Sequence, residues 1–562
     1  MRLRKLDFET KKNLFATGQV LGFPVNLKSV LSQLQQDMRD DWYSDALGYN
    51  DIFADQEYIA DTILESLNGW GGTYIGDIRV VRPIPKKQFA ERYSLETDFF
   101  DRFVYQAICS FLLPELDRTL SHRVLSYRFN RDSNDERYIF RNKINKWLDY
   151  EGLTRRFIEN KGALAATDVS NFFENVSSKQ VVSSVHSLIA HAEASGHRKG
   201  QMLAAARLLE TLLERWTLNG DFGLPQNRDC SSFLSNALLS GVDFEMQRRG
   251  YDYYRYVDDI RIVCDNDHEA RKSLQTLISL LRDVGMNINA TKTTVLRFDS
   301  DQKKVEEYFP SQNPLVMAIA SMWKSRSRRV FIRSIEYIAQ IIRDSLKSGE
   351  TQSRTFRFAV NRLSQLIDAQ LYDVNSDEAK ALLEYAIASL VSDAVSSDQI
   401  CKLIIVLDPD EVYLSKLSEF ILDRKTCIHD WQNHKVWMLL ASFRFDSADL
   451  RQLAQDILAQ NPKTGEAAGM MIWLQSIKFL EPLEALMDEY SEDWPYQNQR
   501  YFLISTSACS ADRIKTLFGR VPPKLVGTSR RARKAFRDDG VAISKRETPS
   551  FSTLYEDIKE YP

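Results

Sequence analysis

Two acids side by side in a β-rich run constrain this chain most. The segment YRYVDDIRIV, residues 254–263, sets Asp258 and Asp259 between aromatic and β-branched flanks. Burying two adjacent carboxylates inside a sheet is costly unless something neutralises them. A tight turn between two strands avoids that cost by projecting the acids into a cleft, where a divalent cation offsets their charge. A surface Asp-Asp hairpin fits the same ten residues, so this segment alone leaves both readings open.

A second run, ALAATDVSNFF (163–173), ends a small-residue strand at Asp168, with Phe173 five positions further on. Alone, Asp168 reads as a helix cap or turn former. Together the two runs supply carboxylates from different strands. Two-metal phosphoryl transfer needs that arrangement, with acids converging on ions about 3.5–4 Å apart. Hard Mg²⁺ favours carboxylate and phosphate oxygens. Between the two runs lies GLPQNRDCSSFLSNALL (223–239), a Gly-Leu-Pro turn leading into a helix whose Leu234, Leu238 and Leu239 read as core.

The pattern of the chain changes along its length. Residues 1–75 mix helical periodicity with aromatic turns such as DDWYSDALGYNDIF and read as an N-terminal extension. From 76 to 314, short β-rich runs alternate with amphipathic helices. IGDIRVVRPIP, ALAATDVSNFF, YDYYRYVDDIRIVC and TKTTVLRF read as strands, and QMLAAARLLETLLERW as a helix. No proline occurs between Pro314 and Pro409. In that span FIRSIEYIAQIIRDSL and EAKALLEYAIASLVSDAV repeat apolar residues at three- and four-residue spacing. Residues 315–520 are therefore expected to form an all-α array of HEAT-like character, followed by a basic tail over 521–562.

With 562 residues, 44% hydrophobic and 27% charged, the chain is long enough for two to four ordinary globular domains. A net charge of −3 argues against a protein that simply coats DNA. Local basic runs exist at Lys324, Arg326, Arg328, Arg329 and Arg333, and at Arg530, Arg531, Arg533, Lys534 and Arg537. A solvated face explains each run as well as a phosphate contact does. The six cysteines form no CxxC pair, so neither a zinc site nor a disulfide framework is expected. The charged N-terminus lacks a signal-peptide core, and no stretch approaches about 20 apolar residues. The expectation is a cytoplasmic protein with no membrane partner.

Taken in order, these segments resemble the palm of reverse transcriptases. Asp168 with Phe173 resembles motif A, GLPQ…S…LSN motif B, YVDD motif C, and GMNINATKT (285–293) the motif that follows. Upstream, RPIPKK (82–87), Arg92 and residues 102–130 resemble the fingers of bacterial reverse transcriptases. The fold implied is an α+β fingers–palm, a right-hand polymerase, with the helical array in place of a thumb. One residue departs from the pattern: Asn227 stands where motif B normally has Gly. Asn tolerates the left-handed region better than most residues, so the turn is expected to survive.

The resemblance implies roles. Asp168 and Asp258 would be the main ligands of two Mg²⁺ ions, with Mn²⁺ as a substitute. Asp259 would be a weaker ligand, and the Val169 carbonyl would complete one shell. Lys86, Lys87 and Arg92 would grip the dNTP triphosphate. Phe173 would exclude ribonucleotides, Gln226 and Asn236 would order the nucleotide pocket, and Lys292 would protonate leaving pyrophosphate. The long helical region is similar to that of the abortive-infection and defence-associated reverse transcriptases of bacteria. That likeness implies phage defence, homo-oligomers, and untemplated synthesis primed on a protein Tyr or Ser, leaving covalent DNA. With 23 tyrosines, no priming residue stands out. Two alternatives stay open: a conventional RNA-templated enzyme bound to a non-coding RNA, and an inactive helical scaffold.

Overall fold

Six β-strands form, all but β2 within the β-rich runs: β1 Val80–Pro85, β2 Glu91–Glu96, β3 Ala163–Asp168, β4 Asp252–Tyr256, β5 Asp259–Cys264 and β6 Thr294–Arg297. In this computed structural model, residues 6–528 are described, apart from 70–71, 88–89, 132–137, 160–161, 298–300, 302–303, 306–307, 310–312 and 326. The basic run at 530–537 lies outside the described residues, and so do most of the tail and Arg326.

β1 and β2 pair in a two-stranded sheet, and the others form an antiparallel sheet in the order β4-β5-β3-β6. All six residues of β3 are buried, as its central place and run of small residues require. Leu164 pairs with Leu296 across β3 and β6. Both join Phe157, Val305 and Phe309 in one core cluster. The register of β3 with β5 places Asp168 opposite Asp259. Directly opposed antiparallel residues share a face, so these two acids rise from the same side of the sheet end.

The chain divides into two compact units that interleave in sequence. One comprises Met1–Asp41, Phe53–Arg82 and Tyr93–Phe309; the other Trp42–Ile52, Pro83–Arg92 and Pro310–Pro562. The first holds the four-stranded sheet with the helices Phe99–Leu116, Ser178–His191, Gly196–Trp216, Asp229–Arg248 and Asp267–Asp283.

The second unit is built on helices running from Pro314–Lys324 to Ala511–Phe518, and one continuous apolar core runs through them. From Arg328–Ser348 onward, helices repeatedly pack on the next helix but one. The two segments picked out by apolar spacing are the helices Arg328–Ser348 and Asp377–Ser392. The segment Trp42–Ile52 is built into this unit by polar contacts. The Trp431 indole donates to the Trp42 carbonyl at 2.8 Å, and the Tyr43 hydroxyl bonds Asp430. Fully buried Arg500 is bound by Asp45 and Asp51 and lies 4.4 Å from the Tyr49 ring. Among the described residues, no helix is long and apolar enough to cross a membrane.

Candidate active site

The two acids predicted at a turn sit at one. β4 and β5 are joined by Val257 and Asp258, with Tyr256 and Asp259 paired across the loop. Val257 has φ 57°, in the left-handed region. A β-branched residue there is a true outlier and costs about 1–3 kcal/mol, persisting only where surrounding contacts impose it. Those contacts are present. The Val257 amide donates to Ser126 Oγ at 2.9 Å, and its carbonyl accepts from Arg255 at 2.8 Å.

The end of β3 runs between this hairpin and the segment 287–289. The Val169 amide donates to the Asp258 carbonyl at 3.2 Å, Ser170 to Asn287 at 2.9 Å, and the Asn289 amide to the Asp168 carbonyl at 2.8 Å. The backbone therefore locks Asp168, Asp258, Asp259 and the turn bearing Lys292 into one assembly. Lys292 Nζ lies 2.5 Å from Asp168 Oδ2, and the Tyr308 hydroxyl bonds the Lys292 carbonyl at 3.1 Å.

The electrostatics are those of a site with surplus negative charge. Burial first, then the charges of Asp259 and Asp168, push the Asp258 carboxyl up to about 7. Partial burial disfavours the Lys292 ammonium, but its bond to Asp168 and the nearby acids outweigh that and raise its pKa. Asp168 is 6% exposed, and its Oδ1 finds no hydrogen-bond partner among the described residues. An acceptor stranded in this way costs about 1–3 kcal/mol, more when charged.

As they stand, no three His, Cys, Asp or Glu side chains among the described residues are gathered as a metal cage. The donor chemistry nevertheless fits a hard divalent cation. The candidate side-chain donors are carboxylate oxygens, one has a vacant acceptor, and a second has its ionisation suppressed by burial and by its neighbours' charge.

Motif A and the GLPQ turn are joined by backbone bonds, from Leu224 N to the Phe173 carbonyl and from Gly223 N to the Val176 carbonyl, both 2.9 Å. Gly223 has φ 109°, and a Cβ there would meet Leu218 atoms at 3.0 Å, so glycine is required. Phe173 is half-buried, with its ring 5.2 Å from Phe172. Asn227 does adopt the left-handed conformation, φ 56°, as its residue type allows. Gln226 is buried, and its amide donates to the Tyr93 carbonyl at 3.1 Å.

Residues 105–357 match the family model described as reverse transcriptase (RNA-dependent DNA polymerase). The chain carries a reverse-transcriptase domain. The match takes in Asp168, Asp258, Asp259, Lys292 and the GLPQ turn, while residues 1–104 and 358–562 lie outside it. No curated protein matches the sequence.

Other predicted residues have partners of their own. Asn236, expected to order the nucleotide pocket, is fully buried and cannot touch a nucleotide as placed. It donates to the Ser126 carbonyl and accepts from Arg255. Lys86, Lys87 and Arg92 lie in Pro83–Arg92, a segment of the second unit. There Lys87 pairs with Glu350 at 3.5 Å, and Arg92 stacks 5.6 Å over Trp42.

Residue-by-residue reading missed the charges within the reverse-transcriptase domain. Arg255 is fully buried against Asp243 at 2.7 Å. Arg228, beside the GLPQ turn, bridges Asp41 and Glu96 at 2.9 and 2.8 Å. A signal for Arg255 was present: an arginine in an aromatic strand, three positions before the first acid of the turn.

Proposed function

We propose that this chain is a divalent-metal-dependent DNA polymerase of the reverse-transcriptase type. One observation carries the reading: three aspartates meet at the ends of β3 and β5 with one lysine to balance them, and Asp168 Oδ1 is left without a hydrogen-bond partner among the described residues. Asp168 and Asp258 would hold two Mg²⁺, or Mn²⁺ in their place, with Asp259 in support and the Val169 carbonyl completing one shell. Such ions would supply acidity at a primer hydroxyl and a hold on the triphosphate. Lys292, kept protonated by its acidic neighbours, would give a proton to leaving pyrophosphate. Phe173 would bar the ribose 2′-hydroxyl, making dNTPs the substrate.

The finer reading is a phage-defence enzyme, homo-oligomeric and primed on its own Tyr or Ser. It rests on the resemblance of a palm followed by a long helical region, read as HEAT-like, to abortive-infection reverse transcriptases. The stacking of alternate helices in the second unit supports it.

The test uses the full chain with each dNTP and Mg²⁺. Incorporation abolished by Asp258→Ala is expected. No incorporation, or incorporation indifferent to that change, overturns the reading. DNA that stays on the protein through denaturation supports protein priming. A defined co-purified RNA points instead to an RNA-templated enzyme.

A further inference from the structure

The strained residue next to Asp258 is held by a closed ring of hydrogen bonds inside the first unit. The Val257 amide donates to Ser126 Oγ at 2.9 Å, and the Ser126 carbonyl accepts from Asn236 Nδ2 at 2.9 Å. Asn236 Oδ1 accepts from Arg255 Nη1 at 2.8 Å, and the same nitrogen donates to the Val257 carbonyl at 2.8 Å. Both backbone polar groups of Val257 are thus gripped by one ring. Asp243 anchors it, accepting from Arg255 Nε at 2.8 Å and Nη2 at 2.7 Å, and from the Tyr253 hydroxyl at 2.9 Å. Ser126, Asn236, Asp243 and Arg255 all have no exposed surface.

A fully buried Arg–Asp pair is weak evidence of stability, because desolvating both charges offsets their attraction and an apolar pair of similar size holds a core as well. What an apolar pair cannot supply is a donor to the Val257 carbonyl. We infer that Arg255, Asn236 and Ser126 are positioning residues that clamp Val257 in its left-handed conformation and so aim the Asp258 carboxylate. The inference deepens the polymerase reading, but its conformational half can be measured without activity.

The test is the full chain with Arg255→Met and Asp243→Leu together, which removes the clamp's donor to the Val257 carbonyl and strands no buried charge. Three readouts are compared with wild type. Hydrogen exchange over residues 255–260 is expected to speed up while the rest of the sheet stays protected. Half-saturation by Mn²⁺, followed by electron paramagnetic resonance, is expected to rise about tenfold. The rate of dNTP incorporation is expected to fall about 10²-fold with KM little changed.

Adding Val257→Gly should recover much of the Mn²⁺ affinity, since glycine takes a positive φ without strain. A clamp that only stabilises the fold would move the unfolding midpoint in step with activity and gain nothing from that glycine. Unchanged exchange and unchanged Mn²⁺ affinity in a folded double variant overturn the inference. If that variant does not fold, Ser126→Ala removes only the acceptor of the Val257 amide, and the same shifts, smaller, are required of it. A wild-type chain that never incorporates nucleotide sinks the polymerase reading instead, and the exchange result still decides the clamp.

Discussion

Lys292 Nζ lies 2.5 Å from Oδ2 of Asp168, whose Oδ1 has no hydrogen-bond partner among the described residues. The lysine occupies one of the two positions that a cation would use on this carboxylate. Lys292→Gln is therefore expected to act in opposite directions on binding and on turnover. Mn²⁺ affinity should rise, because a competing charge is gone. Turnover should drop about 10²-fold, because the proposed proton donor is gone. Loss of both together would show that the lysine merely supports the site.

Phe173 is half-buried beside Phe172 and is tied through its carbonyl to the GLPQ turn. With its backbone fixed and its ring against Phe172, the side chain can exclude by shape. Phe173→Ala should raise ribonucleotide use relative to deoxyribonucleotide by about 10²-fold, with dNTP incorporation largely kept. Single-nucleotide extension with matched rNTP and dNTP measures the ratio. A ratio that does not move assigns Phe173 to the core.

What the sequence disclosed was local. β3, the β4–β5 hairpin and β6 each lie within a run read from its β-rich residues, and Asn227 takes the backbone conformation its side chain tolerates. What it withheld was long-range. DDWYSDALGYNDIF has no period, and its anchor, Arg500, comes some 450 positions later, so nothing local marks Asp45 and Asp51 as one arginine's partners. Asn236 matches a nucleotide-pocket position in its motif, yet its neighbours Ser126 and Arg255 come from other segments. The order of motifs carried the chemistry; the buried ring behind Val257 needed three dimensions.

Arg500 should be the most sensitive position in the second unit. It is fully buried between Asp45 and Asp51, with Thr528 at 2.7 Å. Arg500→Ala leaves two carboxylates buried without their cation, a loss of about 3–5 kcal/mol. Urea unfolding of the full chain measures it. Adding Asp45→Asn and Asp51→Asn should return part of the stability, and a single variant within 1 kcal/mol of wild type would falsify the assignment.

Stability should also depend on pH through Asp101. Burial raises its carboxyl to about 7, although the Tyr74 hydroxyl and Arg215 pull the other way, and Asp98 lies beside it. The folded value is above the ordinary one of 3.8. Between those pH values the native protein keeps a proton that the unfolded chain has released. This contribution is whole below pH 3.8 and is lost as pH rises through about 7. Asp101 accepts from the Tyr74 hydroxyl and the Asp77 amide, both at 2.8 Å, and Asn keeps an acceptor oxygen there while carrying no titrating proton. Asp101→Asn should therefore flatten the fall in urea midpoint between pH 5 and 8, and equal slopes in variant and wild type would remove Asp101 from the explanation.

The exposed side chains of Lys324, Arg328, Arg329 and Arg333 follow one another across the end of one helix and the start of the next. None has an ion-pair partner among the described residues. Four exposed cations close together repel one another, and polymer phosphates would neutralise them. Each phosphate contact adds about 0.7 to 0.9 to the slope of log affinity against log salt. Replacing all four with Gln should weaken binding of any DNA or RNA sequence alike and lower that slope by about 3, as read by fluorescence anisotropy between 50 and 200 mM salt. A weaker affinity with an unchanged slope would mean that the four residues shape the helix pair rather than touch phosphate.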